Sequence, residues 1–216
     1  MITVTVCIVS ISPPTSPSEF LQALRSSGIS PLIIARVVQW IITPTIADHL
    51  LRHNWDFMLI LAPETSLPKS VESLIAQIFS VQVEQPDEYP ASLQKTNHTL
   101  LYPESVPPTF NLERPLLATS SQRVELTPSL LAFARSSFCP PGPVSMLNFL
   151  SFHPFASARA AYAAYIEAFK TSIGSKRGGT LKLLGNTVAK GEWDKVAMAQ
   201  YPSLEYFADM MADPVY

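Results

Sequence analysis

Five side chains toward the end of the chain have types and placements that could do chemistry: Asn148, His153, Tyr162, Tyr165 and Tyr201. Asn148 lies in PVSMLNFLSF (143–152), an apolar run that reads as a strand. Alternation puts Val144, Met146, Asn148, Leu150 and Phe152 on one face, and Ser145, Leu147, Phe149, Ser151 and His153 on the other. Asn148 is the one strongly polar side chain in its row. A buried amide needs partners, since leaving it unsatisfied costs about 1–3 kcal/mol. Such an amide either bonds neighbouring backbone or orients a substrate carbonyl or enolate as an oxyanion-type donor. His153 ends the strand just before Pro154, where an imidazole titrating near neutrality can move a proton, although most lone histidines are surface or structural groups. Tyr162 and Tyr165 lie three apart on one helix, and Tyr201 closes a later strand. Their hydroxyls would bind a phenolic or polyketide-like ligand if they point into a cleft; rings at helical spacing also serve as core. Asn148, His153, Tyr165 and Tyr201 are therefore the catalytic candidates, with Asn148 polarising a carbonyl and His153 moving the proton. Tyr162, Phe149, Met198 and Trp193 are the candidates for substrate contact.

Several other chemistries lack their patterns. No GxSxG accompanies the abundant serines, so Ser-His-Asp chemistry is not indicated. GSKRGG (174–179) resembles a phosphate loop only in its glycines, and it follows a helix rather than a strand. Cys7 and Cys139 form no CxxC, no metal-ligand spacing occurs, and Cys7 within its apolar run reads as a buried thiol. No cofactor is expected: haem needs an axial ligand and a large pocket, and nothing singles out His153 for that role. A net charge of -2 and a pI near 6.1 give no electrostatic footprint for nucleic acid or an acidic membrane. MITVTVCIVSIS (1–12) lacks a basic lead-in and reads as a first strand, and no apolar run reaches the roughly 18 residues of a membrane helix. A cytoplasmic protein with a small-molecule ligand is the expectation. Charged residues make up 15% of the chain, below the roughly 25% usual for soluble proteins, which points to buried surface such as a homodimer interface.

The elements that must position these groups occur twice. Trp55-Asp56 and Trp193-Asp194 each precede an apolar strand, FMLILA (57–62) and DKVAMAQY (194–201). Ahead of the first come a strand over 3–11, a helix in SPSEFLQALRSSG, and a strand over 31–42. That helix has Ser16 as cap, Pro17 first, Glu19 completing a capping box and Gly28 as stop. A connection with helical character (44–54) follows. KSVESLIAQIFS then places Val71, Leu74, Ile75, Ile78 and Phe79 at helical spacing and predicts a helix over 69–80. Ahead of the second pair come the 143–152 strand, a helix in ASARAAYAAYIEAFKTSIG capped by Ser157, and a strand over 180–188. That helix carries a stripe of Tyr162, Tyr165, Ile166, Phe169 and Ile173, and Gly174 ends it. A helix in LEYFADMMAD follows the pair. Both series read β-α-β-β-α, offset by roughly 140 residues. Duplication makes the Trp-Asp pairs better candidates for the fold than for catalysis.

Residues 81–143 hold ten of the twenty prolines and read as a connector, with a strand over 97–102 and a short helix led by Thr127-Pro128. The domain reading is a degenerate ferredoxin-like module at 1–102, a Pro-rich connector at 103–142, and a ferredoxin-like module at 143–216 without its last strand. That last strand would pair beside 143–152, so the edge there is expected to be covered by another segment, from the connector or a partner chain, or else by a C-terminal strand beyond residue 216.

VSMLNFLSF, YAAYIEAF, GGTLKLLGN, EWDKVAMAQYPS and FADMMADPVY follow one another in the order and spacing of a domain-of-unknown-function family, which the chain resembles over 143–216. The first module lacks the Asn-bearing strand and the paired glycines of that pattern. The family belongs to the dimeric α/β-barrel superfamily, and the resemblance implies an α+β fold of tandem ferredoxin-like modules whose sheets pair into a barrel. Members of that superfamily include cofactor-independent monooxygenases, polyketide cyclases, lactone isomerases and haem-dependent enzymes. The resemblance implies a small-molecule enzyme of the cyclase, isomerase or monooxygenase type, acting on an apolar or aromatic substrate. The other reading open at this point is a non-catalytic ligand-binding or assembly protein with the same fold.

Overall fold

The computed structural model describes residues 1–44, 46–109, 127–189 and 191–213. The middle of the Pro-rich connector, the end of FADMMADPVY and the Ile173 side chain lie outside the described residues. The chain is α+β, with two sheets and several helices. It divides into two compact units: Met1–Gln94 with Gly185–Lys195, and Lys95–Leu184 with Val196–Tyr216.

In the first unit, β1 (Ile2–Ile11) leads to α1 (Pro17–Ser26). The helix starts where its residues demand: the Glu19 N–H donates to Ser16 Oγ at 3.3 Å, and the Ser16 N–H donates to the Glu19 carboxylate at 2.6 Å. It stops at Gly28, whose φ of 78° suits a residue without a Cβ. β2 (Ile33–Arg36), β3 (Phe57–Leu61), α2 (Lys69–Glu72) and β4 (Ile75–Gln85) complete the series. The strands lie in the order β2-β3-β1-β4, each antiparallel to its neighbours, which is the ferredoxin-like arrangement. One row of the sheet, Cys7, Val9, Phe57, Leu59 and Leu61, packs with Phe20 and Leu24 of α1 and Val71 of α2. The Phe20 and Phe57 rings stack at 5.3 Å. The alternate row, Val4, Val6, Ile8, Met58 and Ile60, is equally buried, so β3 and the Val6–Val9 stretch of β1 are apolar on both faces rather than alternating. Cys7 is a buried free thiol, as its surroundings predict, and burial pushes its pKa up to about 11.

The structure corrects four local expectations. The helix over 69–80 is only the four-residue α2, and Ile75–Gln85 is a strand. Val71, Leu74, Ile75, Ile78 and Phe79 do sit at helical spacing, but β4 runs along β1 from Ile2↔Gln85 to Ile11↔Ile75 and satisfies the open edge of the central strand. That long ladder outweighs a local period in a β-branched segment. The strand over 97–102 falls instead within α3 (Tyr89–Leu101), which has Pro90 in its first turn and buries Tyr89 and Leu93 one turn apart. The strand over 31–42 shrinks to Ile33–Arg36, because β3, the strand it pairs with, is only five residues long. Finally, Phe155 rather than Ser157 occupies the cap position of the helix after the 143–152 strand, with no side-chain cap bond.

The second unit takes in the end of α3 from Lys95 and includes α4 (Pro128–Ala134), capped as expected by Thr127, whose Oγ1 accepts from the Leu130 N–H at 3.1 Å. β5 (Val144–Leu150), α5 (Ala156–Ala168), β6 (Thr180–Asn186), β7 (Lys195–Tyr201) and α6 (Leu204–Met211) follow, with one π-helical turn, Phe169–Ile173, extending α5. The strand order β5-β7-β6 matches β1-β3-β2 of the first sheet. The tip of the β6–β7 hairpin belongs to the first unit, where Thr187 bridges Val83 of β4 and the Val188 N–H donates to the Gln82 carbonyl at 3.0 Å. Gly185 there lies against the Glu84 carbonyl so closely that a Cβ would collide with it.

Both Trp-Asp pairs end strand ladders, by different atoms. The Trp55 ring is buried and its Nε1–H donates to the Leu50 carbonyl at 2.7 Å. Asp56 continues the ladder where β3 stops: its N–H donates to the Val9 carbonyl at 2.8 Å, and its Oδ2 accepts from the Ile11 N–H at 2.8 Å. Ile11 is also where the β1–β4 register shifts, so the carboxylate supplies an acceptor that regular pairing does not. In the second pair, the Trp193 carbonyl accepts from Thr187 Oγ1 at 2.6 Å and the Asp194 carbonyl from the Thr187 N–H at 3.1 Å. Asp56→Ala is expected to lower unfolding free energy by about 1.5–3 kcal/mol, the range for a hydrogen bond to a charged group. Urea titration monitored by tryptophan fluorescence checks this.

Candidate functional site

A row of rings runs through the second unit, and strand β5 and helix α5 set its start. Phe152 and Tyr162 lie 5.3 Å apart between centroids, Tyr162 and Tyr165 6.1 Å, Tyr165 and Phe169 6.4 Å, Phe169 and Tyr201 6.2 Å, and Tyr201 and Phe207 5.4 Å. The Arg159 guanidinium sits 5.1 Å from the Phe152 centroid, a cation over a ring face. Exposure grades along the row. Phe152, Tyr162 and Tyr165 are half-buried, whereas Phe169, Tyr201 and Phe207 are core. Burial pushes the Tyr162 hydroxyl up to about 12, so it remains a hydrogen-bond donor at any ordinary pH.

The sheet faces separate the sequence-predicted residues. Ser145 Oγ donates to Gln200 Oε1 at 2.7 Å, which places the Ser145, Leu147 and Phe149 row on the same face as Gln200 and Met198. Tyr201 and the Asn148 row occupy the other face, under α5 and α6. The structure thus brings Tyr162, Tyr165 and Tyr201 into one ring row and leaves Phe149 and Met198 across the sheet from them. Met198 is fully buried. Tyr201 is 1% exposed and its hydroxyl donates to Met210 Sδ at 3.1 Å, so that group is engaged inside the core. Asn148 differs from its expected burial: it is exposed, and its Nδ2 donates to the Met146 carbonyl at 3.2 Å. Because β5 is an outer strand of its sheet, a side chain in its row can reach solvent past the helices. His153 is exposed beyond the strand end, and neither it nor Asn148 bonds another candidate residue. Trp193 is half-buried in the hairpin tip of the first unit. Two surface grooves, of about 600 and about 270 Å³, both lie in the first unit, one lined by residues including Thr5, Glu64 and Gln82 and the other by residues including Ile75 and Ile78. Neither includes a predicted site residue. Among the described residues no cluster of three or more His, Cys, Asp or Glu could hold a metal ion.

Two buried polar groups escaped the sequence reading. Arg177, in the turn after α5, is 4% exposed; its Nε donates to Asp209 Oδ2 at 2.7 Å and its Nη2 to Asp213 Oδ2 at 2.6 Å. The GSKRGG segment thus locks a turn onto α6, with Gly178 at φ 67° making the turn. The signal was an Asp pair four apart at the end of an apolar helix. Lys182, on β6, is 7% exposed, and its Nζ donates to Asn97 Oδ1 of α3 at 2.7 Å. Its signal was a single cation inside the strand TLKLLGN.

Burial pushes the Lys182 ammonium down to about 8. An unfolded lysine titrates at about 10.4, so between those values the unfolded chain binds a proton that the folded chain has released, and stability rises with pH. Below about 8 both states carry the proton and the full cost of burying the charge applies. Relative to Lys182→Met, the unaltered chain should gain about 1–3 kcal/mol between about pH 7.5 and about pH 10, read by urea unfolding. Asp209→Ala, which removes the fully buried one of the two carboxylates paired with the guanidinium, should cost about 3–5 kcal/mol in the same assay.

No family model and no curated protein matches this chain. Among solved structures it is similar to chlorite dismutase from Candidatus Nitrospira defluvii in complex with imidazole, at 10% sequence identity and a TM-score of 0.41, over 97% of this chain and 80% of that one. A likeness that distant transfers no residue roles, and the chemistry must be read from the side chains themselves.

Proposed function

We propose that this chain is a cofactor-independent small-molecule enzyme of the cyclase, isomerase or monooxygenase type, acting on an apolar or aromatic, polyketide-like substrate. The observation that carries the reading is the half-exposed start of the ring row: Phe152, Tyr162 and Tyr165 with Arg159 over Phe152, following a strand on which the exposed Asn148 alternates in the same row as Phe152. A flat ligand stacks on the rings, the Tyr165 hydroxyl donates to it, and Asn148 Nδ2 exchanges the Met146 carbonyl for the substrate's carbonyl oxygen. His153 moves the proton. Tyr201, held by Met210, backs Phe169 from inside. The same proposal treats 1–102 and 143–216 as two copies of one ferredoxin-like module joined by 103–142 and paired as in a dimeric α/β barrel, in a cytoplasmic homodimer. The shared order β1-β3-β2 and β5-β7-β6 supports the common ancestry.

A second reading, a non-catalytic binding or assembly protein, is favoured by a different observation. β4 carries no charge between Ile75 and Val81, ahead of its contacts with Thr187 and Val188, and β5 carries none at all; among the described residues both are outer strands of their sheets, and Ile78 is 50% exposed. Uncharged outer strands are suited to pairing with another chain.

Thermal shift against phenolic and polyketide compounds separates the readings, since a ligand that binds only the folded state raises the melting temperature. With a substrate so found, Asn148→Ala and His153→Ala should each lower kcat by about 10²-fold or more. Turnover unchanged in both variants overturns the enzymatic assignment. A chain that answers no ligand but sediments as a concentration-dependent oligomer supports the second reading.

A further inference from the structure

We propose that Lys182 is a nucleophilic amine that condenses with the carbonyl group of a small aldehyde, at a site separate from the Tyr162–Tyr165 rings. Lys182 is 7% exposed, and among the described residues its one polar contact is the neutral amide of Asn97, at 2.7 Å; no carboxylate touches it. This combination is uncommon, because a buried ammonium is ordinarily paired with an acid. The absence of a paired acid has a chemical consequence. An ion-paired lysine is held protonated and has no lone pair to offer, whereas a desolvated lysine beside a neutral acceptor is biased toward the amine. The fall in its pKa to about 8 by burial agrees with that bias, and it leaves roughly a tenth of the side chain as amine near neutral pH.

Asn97 makes the position usable. Its oxygen takes one Nζ hydrogen and so holds the flexible lysine in place, and its Nδ2 can donate to the oxygen of an arriving carbonyl. Asn97 is half-exposed and Lys182 is not, so an aldehyde approaching from solvent meets Asn97 of α3 first. In the reaction the Nζ lone pair attacks the carbonyl carbon, and the carbonyl electron pair moves to oxygen, which takes up a proton. The carbinolamine then expels that oxygen as water together with the remaining nitrogen proton, leaving a C=N imine. Nothing is oxidised or reduced.

The test is reductive trapping on the full chain. Propionaldehyde is added near neutral pH with sodium cyanoborohydride, which reduces each imine to a stable secondary amine, and the modified peptides are quantified by mass spectrometry. Lys69, Lys95 and Lys176 are exposed and serve as controls on the same chain, and the Met1 amine, paired with Asp87, is read on its own peptide. Lys182 is expected to be alkylated several-fold faster than each control lysine. Asn97→Asp, a near-isosteric change, puts a carboxylate against Nζ and holds it protonated. It should slow Lys182 by about tenfold or more and leave the controls unchanged. Labelling of Lys182 no faster than the controls overturns the proposal, as does an Asn97→Asp rate equal to that of the unaltered chain; if that variant does not fold, the comparison within the unaltered chain decides. None of these readings involves Asn148 or His153, so the outcome is independent of the ring-row site.

Discussion

β1 is bonded along both edges and buried on both faces, and the first unit is organised by meeting those four demands. A buried strand cannot leave its N–H and C=O groups unpaired without a penalty comparable to a lost hydrogen bond for each. β3 serves one edge but stops at Phe57, opposite Val9, and Asp56 takes over from there with its N–H toward Val9 and its carboxylate toward Ile11. β4 serves the other edge for its full length. The faces are served by apolar side chains in both rows, with the Phe20–Phe57 stack fixing where α1 lies on one of them. The length of β4, the placement of Trp55-Asp56 and the shortness of α2 are consequences of one strand's requirements.

The second unit rests on a different pair of contacts. Its sheet meets α5 and α6 through Phe169, Tyr201 and Phe207, and the turn after α5 is tied to α6 by Arg177 between Asp209 and Asp213. The planar guanidinium fork reaches the two carboxylates from separate nitrogens in a fixed geometry, Nε to Asp209 and Nη2 to Asp213. A buried pair of this kind gives little net stability compared with apolar packing, but it admits one geometry, and breaking it leaves a stranded charge. The inner end of the ring row is packed core, and its outer end, Phe152 to Tyr165, continues from it. Asn148 and His153 lie on an outer strand among the described residues and just beyond it, where solvent reaches them.

Legibility followed the range of the interactions. Ser16, Pro17 and Glu19 specify a helix start through contacts within four residues, and Thr127-Pro128 does the same for α4. FMLIL and KVAMAQY are apolar on both faces and too short for helices, and both are strands. The candidate tyrosines were found by spacing, and the structure does gather Tyr162, Tyr165 and Tyr201 in one row. The exposure of Asn148 was not legible, because it depends on whether β5 is central or outer in its sheet, which no local pattern records. Arg177 and Lys182 were passed over because a charged residue is most often solvated, and only the partners 32 and 85 residues away reveal otherwise.

By itself the sequence determined the succession of elements through most of the chain, the cap and stop of α1, the cap of α4, and the recurrence of a Trp-Asp strand start in each half. These depend on propensity and on bonds between near neighbours, which the chain carries in every conformation. Tertiary structure alone decided that residues 75–85 are a strand although their spacing also suits a helix, because only β1 presents the unpaired edge they fill. It likewise decided which face of β5 carries Asn148, which carboxylates Arg177 meets, and that Lys182 is buried against an amide. Each of those outcomes is a property of two segments brought together, and neither segment specifies it when read alone.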